Sequence, residues 1–104
     1  MERPKRKLIW SPDSETDLIG ICSYCEDSFG LLVALDIMSE YEFLANVLCG
    51  QPQIGMKVQD STYLGMEMRV HPLEWSRIFY SHSETEVHIL RIFDVRIHPG
   101  DPRP

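Results

Sequence analysis

The sequence predicts an α+β protein in which a helical hairpin packs on one face of a small antiparallel sheet. Two observations lead to this prediction. Apolar residues recur at helical spacing across the first half of the chain, and from Met66 onward they alternate with polar residues. A short apolar segment precedes the helical part, so the predicted order is β-α-α-β-β-β. The predicted single domain covers residues 1–98.

A short strand, Leu8–Trp10, leads into the first predicted helix. Ser11 is a good N-cap, and Pro12 suits the first helical position because its missing N–H costs nothing there. Gly30 is expected to end this helix. The helix carries one apolar stripe, formed by Leu18, Ile21, Cys22, Cys25 and Phe29.

A second helix is expected to begin just after Gly30 and to end at Gly50. Because a single residue connects the two helices, they are expected to pack against each other as an αα-hairpin. Residues 51–65 are rich in glycine, proline and polar residues and are interpreted as a loop. The apolar stripe of the second helix consists of Ala34, Ile37, Met38, Tyr41, Leu44, Ala45 and Leu48.

Three strands are predicted after this loop, over Met66–His71, Trp75–Ser81 and Glu86–Ile97. Pro72 ends the first of them, and a polar turn joins the last two. The last strand is predicted to alternate strictly along its length. Because both of its faces are rather apolar, it is expected to lie centrally or to have its second face covered by something else. Residues 99–104 cannot extend regular structure and are expected to form a flexible tail.

The charge is unevenly distributed along the chain. The formal net charge is −6, yet residues 11–50 contain eight acidic residues and no basic one. A surface built from these residues would repel phosphate and attract a basic protein partner. The longest apolar run, Leu31–Leu35, is far shorter than the roughly 20 residues that span a bilayer. No apolar signal segment follows the basic N-terminus, so a cytoplasmic location is expected.

The cysteines and histidines do not form a recognisable catalytic or metal-binding pattern. Cys22 and Cys25 have the spacing of a redox pair but fall mid-helix on the apolar stripe, so core packing is the favoured interpretation. His82 and His88 flank the last turn and are interpreted as solvated. The remaining spacing fits no metal site. We therefore expect no metal and no cofactor.

The arginines are the most informative polar residues, because four of them fall on predicted strands: Arg69, Arg77, Arg91 and Arg96. Arginine in a half-buried sheet is costly unless it is paired or serves a partner surface. Two interpretations stay open. These residues either form ion pairs with Glu67, Glu86 or Asp94, or they bind a target.

Several segments, taken in order, resemble the ParE/RelE superfamily of type II toxin–antitoxin toxins, with the ParE branch closest. The match covers about residues 6–98 and departs from the usual ending of ParE-like chains, of which only Arg96 is kept. The matching segments are Ser11-Pro12 with Asp17-Leu18, Phe29-Gly30, Gln51-Pro52 through Gly55, Arg69 through Pro72, Ile78-Phe79-Tyr80, and Val87 through Ile92.

The resemblance implies a non-enzymatic toxin that inhibits DNA gyrase by binding and is neutralised by a ParD-like antitoxin. In this interpretation Arg69, Arg77, Arg91 and Arg96 contact the target, and the antitoxin covers Trp75 and Tyr80. The alternative is a RelE-type mRNA endoribonuclease with His98 as acid, which the acidic hairpin disfavours. A non-toxic interaction domain of the same fold is a third possibility.

Overall fold

The computed structural model describes residues 5–95 and confirms the α+β class and the helical hairpin. The elements are β1 (Lys7–Trp10), α1 (Pro12–Phe29), α2 (Leu31–Gly50), a 3-10 turn (Pro52–Ile54), β2 (Met56–Tyr63), β3 (Met66–Pro72), β4 (Ser76–His82) and β5 (Glu86–Asp94). The sheet order is β1-β5-β4-β3-β2. β1 pairs with β5 in parallel, and the other neighbouring strands are antiparallel.

The prediction of a loop over residues 51–65 is wrong, because β2 lies within it and pairs with β3. β2 occupies the sheet edge and has no buried residue, so it lacks the apolar alternation that would have revealed it. Leu64 and Gly65 both have positive φ, of 52° and 78°, and form the two-residue connection to β3. Such a pair of positive φ angles matches the twist of a tight hairpin.

The predicted start and end of α1 are confirmed. The Ser11 side chain accepts a hydrogen bond from the Ser14 amide at 3.0 Å, and Pro12 occupies the first turn. Gly30 follows with a φ of 96°, a conformation that side chains rarely adopt. Its amide donates to the Glu26 carbonyl, which completes the last turn of the helix.

The predicted strict alternation of the last strand is wrong because β5 contains a bulge at Leu90. Phe79 pairs with Arg91 whereas Tyr80 pairs with Ile89, so Leu90 is an extra residue between them. The bulge puts Ile92 into the same core as Ile89. β5 lies between β1 and β4, which confirms its predicted central position.

Two side chains of the α1 region hydrogen-bond to the backbone around this bulge. The Ser11 hydroxyl donates to the Leu90 carbonyl at 2.9 Å, and the Ser11 amide donates to the Ile89 carbonyl at 2.9 Å. The Asp17 carboxylate accepts from the Ile92 amide at 2.9 Å. Ser11 and Asp17 therefore provide hydrogen-bond partners for backbone groups of β5 around the bulge.

The core lies between the helical hairpin and one face of the sheet. The predicted helix stripes supply much of it, although Phe29 is exposed rather than buried. The main buried residues of the core are Ile21, Cys25, Ala34, Ile37, Tyr41, Ala45, Leu48, Ile78, Tyr80, Val87, Ile89 and Ile92. β5 ends at Asp94 instead of Ile97, and the predicted tail lies outside the described residues.

Candidate protein-binding surface

An apolar groove lies between α2 and the connection from β3 to β4. Its volume is about 590 Å³, and its walls include Phe43 and Leu44 on one side and Leu73 and Trp75 on the other. Half of the Trp75 surface is exposed, as is most of Phe43. Glu40 and Glu74 also line the groove. The groove therefore combines apolar surface with negative charge at its rim.

The backbone fixes the position of Trp75 although this residue lies outside the strands. Trp75 was predicted to begin the third strand, but β4 begins one residue later. The Trp75 carbonyl accepts a hydrogen bond from the Val95 amide at 2.8 Å, and the Leu73 amide donates to the Ser76 carbonyl at 2.7 Å. The indole is thus presented from a tight, hydrogen-bonded bend.

Tyr80, the second residue predicted to contact the antitoxin, has no exposed surface. Its hydroxyl donates to the Pro52 carbonyl at 2.6 Å and accepts from the Gly55 amide at 2.9 Å. Burial raises the pKa of this hydroxyl above its usual value. Tyr80 therefore fastens the segment before β2 onto the sheet, and it offers no surface to a partner in this conformation.

Arg77 is the exposed arginine that lies next to the groove. It is the sheet partner of Phe93, and both residues line a second cavity of about 350 Å³ together with Trp75. The Phe93 ring also packs edge-on against Phe79, with ring centroids 5.9 Å apart. The structure thus brings two predicted site residues, Trp75 and Arg77, to one continuous surface.

Arg91 and Arg69 are instead engaged in internal contacts. The Arg91 guanidinium donates two hydrogen bonds to Asp17, at 2.8 and 3.1 Å. This hydrogen bonding to Asp17 raises the pKa of Arg91. Arg69 donates to the Gly55 carbonyl at 2.8 Å and lies 3.5 Å from Glu67. The ion-pair interpretation is therefore confirmed for Arg69 with Glu67.

The partner of Arg91 was not foreseen, because Asp17 lies 74 residues away in sequence. The motif Asp17-Leu18 was noticed only as part of a resemblance. Arg96, the fourth predicted target-binding residue, and His98 lie outside the described residues.

The outer surface of the helical hairpin is a further apolar region that the sequence analysis did not single out. Eight large apolar side chains of α1 and α2 are exposed, with Leu32 at 78%. Acidic residues accompany them on both helices, and neither helix has a basic residue. The exposed apolar residues are Ile19, Tyr24, Phe29, Leu31, Leu32, Val33, Leu35 and Phe43.

The cysteines fit packing better than redox chemistry. All three are free, and Cys25 and Cys49 are buried. Burial raises the pKa of the Cys22 thiol, whereas a reactive cysteine requires a lowered pKa. The interpretation of His88 as a solvated turn residue is wrong, since it is 8% exposed and bonds Glu86 at 2.9 Å.

The element order and sheet topology define a small α+β domain with a ParE-like fold. A chain of the chromosomal ParDE TA system from P. aeruginosa is similar to this one, with a TM-score of 0.68 and 23% sequence identity. The match covers 86% of this chain and 96% of that chain. No protein-family model matches the sequence. No curated protein matches it either.

Within residues 5–95, neither helix is both long and apolar enough to cross a membrane.

Proposed function

We propose that this protein is the toxin of a type II toxin–antitoxin pair, acting in the cytoplasm by binding a protein target rather than by catalysis. The observation that carries the proposal is the exposed apolar surface of the hairpin and of the Trp75 groove, accompanied throughout by acidic side chains. A monomer seldom leaves so much apolar surface uncovered, so this surface is suited to a partner. The shared fold supports the same proposal.

The proposed antitoxin is a ParD-like protein with a basic, partly apolar segment. Its apolar side chains would fill the groove beside Trp75 and Phe43, and its lysines or arginines would face Glu40 and Glu74. Charge complementarity of this kind accelerates association and excludes acidic competitors. A segment that folds on contact suits an elongated groove.

The proposed target is DNA gyrase, contacted through the surface around Arg77. This guanidinium is exposed next to Phe93 and Trp75, which together resemble the arginine and aromatic composition of binding hot spots. Arg69 and Arg91 would act indirectly, because each already holds an internal partner.

A ribonuclease is the less favoured function. RNA cleavage needs cations placed around a phosphate, and Asp17 and Glu67 neutralise two of the arginines that would serve. The acidic hairpin also opposes docking to RNA.

The test adds the purified protein to a gyrase supercoiling reaction and, separately, to a translating ribosome extract. We expect loss of supercoiling with intact mRNA. Arg77→Gln should weaken the inhibition at least tenfold, while Lys57→Gln, a matched change of an exposed cation on β2, should leave it within twofold. Cleaved mRNA would contradict gyrase inhibition and indicate a nuclease. No effect in either reaction would indicate a non-toxic interaction domain.

The antitoxin part is tested with the product of the neighbouring gene, which we expect to be a ribbon-helix-helix protein. Trp75→Ala should weaken the complex at least tenfold, and Leu64→Ala, at a still more exposed apolar residue of the β2–β3 turn, should not. Affinity should fall as salt is raised, because exposed charges are screened. Affinity that is independent of salt would remove the electrostatic part of the proposal.

A further inference from the structure

A third cavity lies at the opposite end of the sheet from the Trp75 groove. Its volume is about 760 Å³, and its lining residues are Lys5, Arg6, Gln53, His82, Ser83, Glu84 and Thr85. His82 ends β4, whereas Trp75 immediately precedes the start of that strand. Seven strand residues separate the two sites by roughly 20 Å. This cavity, here called the basic cleft, is therefore independent of the proposed protein-binding surface.

The basic cleft concentrates positive charge in a chain that is otherwise acidic. Lys5 and Arg6 line it, and the charge of Arg69 reaches His82 from β3. Glu84 is the one acidic residue among the described lining residues. The two helices of the hairpin contain no cation, so the cleft differs from them in the sign of its charged side chains.

Arg6 is held in place at the rim of the cleft. Its Nε donates a hydrogen bond of 2.6 Å to the Ser83 carbonyl in the β4–β5 turn. The Lys7 amide donates to the Thr85 carbonyl at 2.8 Å, so the backbone beside Arg6 is also attached to this turn. The Nε bond uses one of the five N–H donors of the guanidinium. A fixed guanidinium loses less conformational entropy when it binds an oxyanion.

His82 is surrounded by groups that disfavour its charged form. Burial lowers its pKa most, and the cations Arg69 and Arg6 lower it further, against smaller opposing effects from the Ser83 backbone and Glu67. An anion beside His82 would reverse this balance, because it would stabilise the imidazolium. The cleft therefore combines two permanent cations with a histidine that can supply a third charge when an anion arrives.

We propose that the basic cleft binds a phosphate group, either as the free ion or at the end of a small phosphorylated molecule. Arginine binds phosphate through two parallel N–H donors, and lysine adds a point charge. The volume exceeds the need of a bare phosphate and falls within the roughly 300–1,000 Å³ of small-molecule sites. An organic group attached to the phosphate therefore has room.

The experiment titrates the full chain with inorganic phosphate, adenosine monophosphate and adenosine at constant ionic strength, with amide NMR shifts as the readout. We expect saturable shifts at residues 5–6 and 82–85 with both phosphate-bearing ligands and none with adenosine. Tighter binding of the nucleotide would indicate an organophosphate, and equal binding would indicate the free ion. Equal binding of adenosine, or shifts that never saturate, would overturn the proposal.

The matched variants are Arg6→Gln and Lys7→Gln, which remove neighbouring cations of which only Arg6 lines the cleft. Arg6→Gln should weaken phosphate binding at least tenfold, and Lys7→Gln should leave it within twofold. If both variants weaken phosphate binding equally, the binding comes from general charge attraction, and the proposed phosphate site is wrong. If Arg6→Gln loses its folded NMR spectrum, Lys5→Gln takes its place with the same expected outcome.

The contribution of His82 is tested with sulfate, which stays doubly charged over the range examined. Sulfate should bind more tightly at pH 5.5 than at pH 7.5, and His82→Gln should remove this difference while retaining binding. Binding of sulfate that is equally strong at both pH values would remove His82 from the site.

Discussion

The two edges of the sheet are attached to the rest of the molecule in different ways. At the β1–β5 edge, β5 is largely buried beneath the helices, and Ser11 and Asp17 bond its backbone. At the other edge, β2 has no buried residue. Its start is fixed by hydrogen bonds to the backbone of Gly55, the residue that precedes it. One edge thus depends on a shared core, while the other is held by its pairing with β3 and, at its start, by an attachment at Gly55.

That attachment consists of two side chains that hold both polar groups of one glycine. Tyr80 accepts from the Gly55 amide, and Arg69 donates to the Gly55 carbonyl. A Cβ on residue 55 would overlap the Tyr80 hydroxyl and would lie 2.8 Å from its ring atom Cε1. Glycine is therefore required here by close approach, since its φ of −79° suits any residue.

The largest expected effect follows from filling this space. Gly55→Ala should lower the free energy of unfolding by about 3 kcal/mol, through overpacking and loss of the buried hydrogen bonds. Gly20→Ala is the control, because nothing lies within 4 Å of its added Cβ. Alanine should stabilise α1 there by about 0.5–1 kcal/mol. Urea unfolding measures both, and equal effects would show that the attachment at Gly55 is unimportant.

A somewhat smaller loss is expected at the opposite edge. Asp17→Ala removes the acceptor for Ile92 and the ion pair with Arg91, and should cost about 2 kcal/mol. Asp27→Ala removes an exposed carboxylate of the same helix and should change stability by less than about 0.5 kcal/mol. If the two variants unfold at the same urea concentration, the contact between α1 and β5 contributes little.

Ser11→Ala tests the same edge at the N-cap of α1. It should lower the free energy of unfolding by about 1 kcal/mol. The variant loses both the cap to Ser14 and the bond to the Leu90 carbonyl. Ser23→Ala, in the exposed middle of α1, serves as the comparison and should be neutral or slightly stabilising. Amide exchange at the bulge gives a separate measurement, because protection near Leu90 should fall only in the first variant.

The smallest expected effect concerns pH and the basic cleft. Burial, followed by Arg69 and Arg6, lowers the pKa of His82 in the folded chain, so the unfolded chain binds the proton more readily. Stability should therefore decline as the pH falls below about 6.5, the unfolded value, and level off below the folded value. The urea curves are measured in buffers that contain chloride and no phosphate or sulfate. His82→Gln should flatten this part of the profile, and parallel profiles would contradict the assignment.

The sequence predicted the helical side of the molecule better than the β2 edge of the sheet. Ser11, Pro12 and Gly30 act through their immediate neighbours, so local patterns were enough to place α1. β2 was missed because an exposed edge strand carries no apolar alternation. The bulge at Leu90 was missed because it depends on pairing with distant residues. The same distance explains the candidate site. Trp75 and Arg77 are exposed as a binding role requires, but the burial of Tyr80 and the pairing of Arg91 with Asp17 were not foreseen.

The parallel pairing of the first strand with the last has a consequence for biosynthesis. Ser11 and Leu90 are 79 residues apart, so the N-terminal segment has no docking site until nearly the whole described chain has been made. Translation at about 5–20 residues per second leaves that segment waiting for several seconds. Throughout that interval the nascent chain lacks a closed sheet. Any activity that needs the finished fold therefore begins only after β5 has been made, when a partner protein made earlier can already be present.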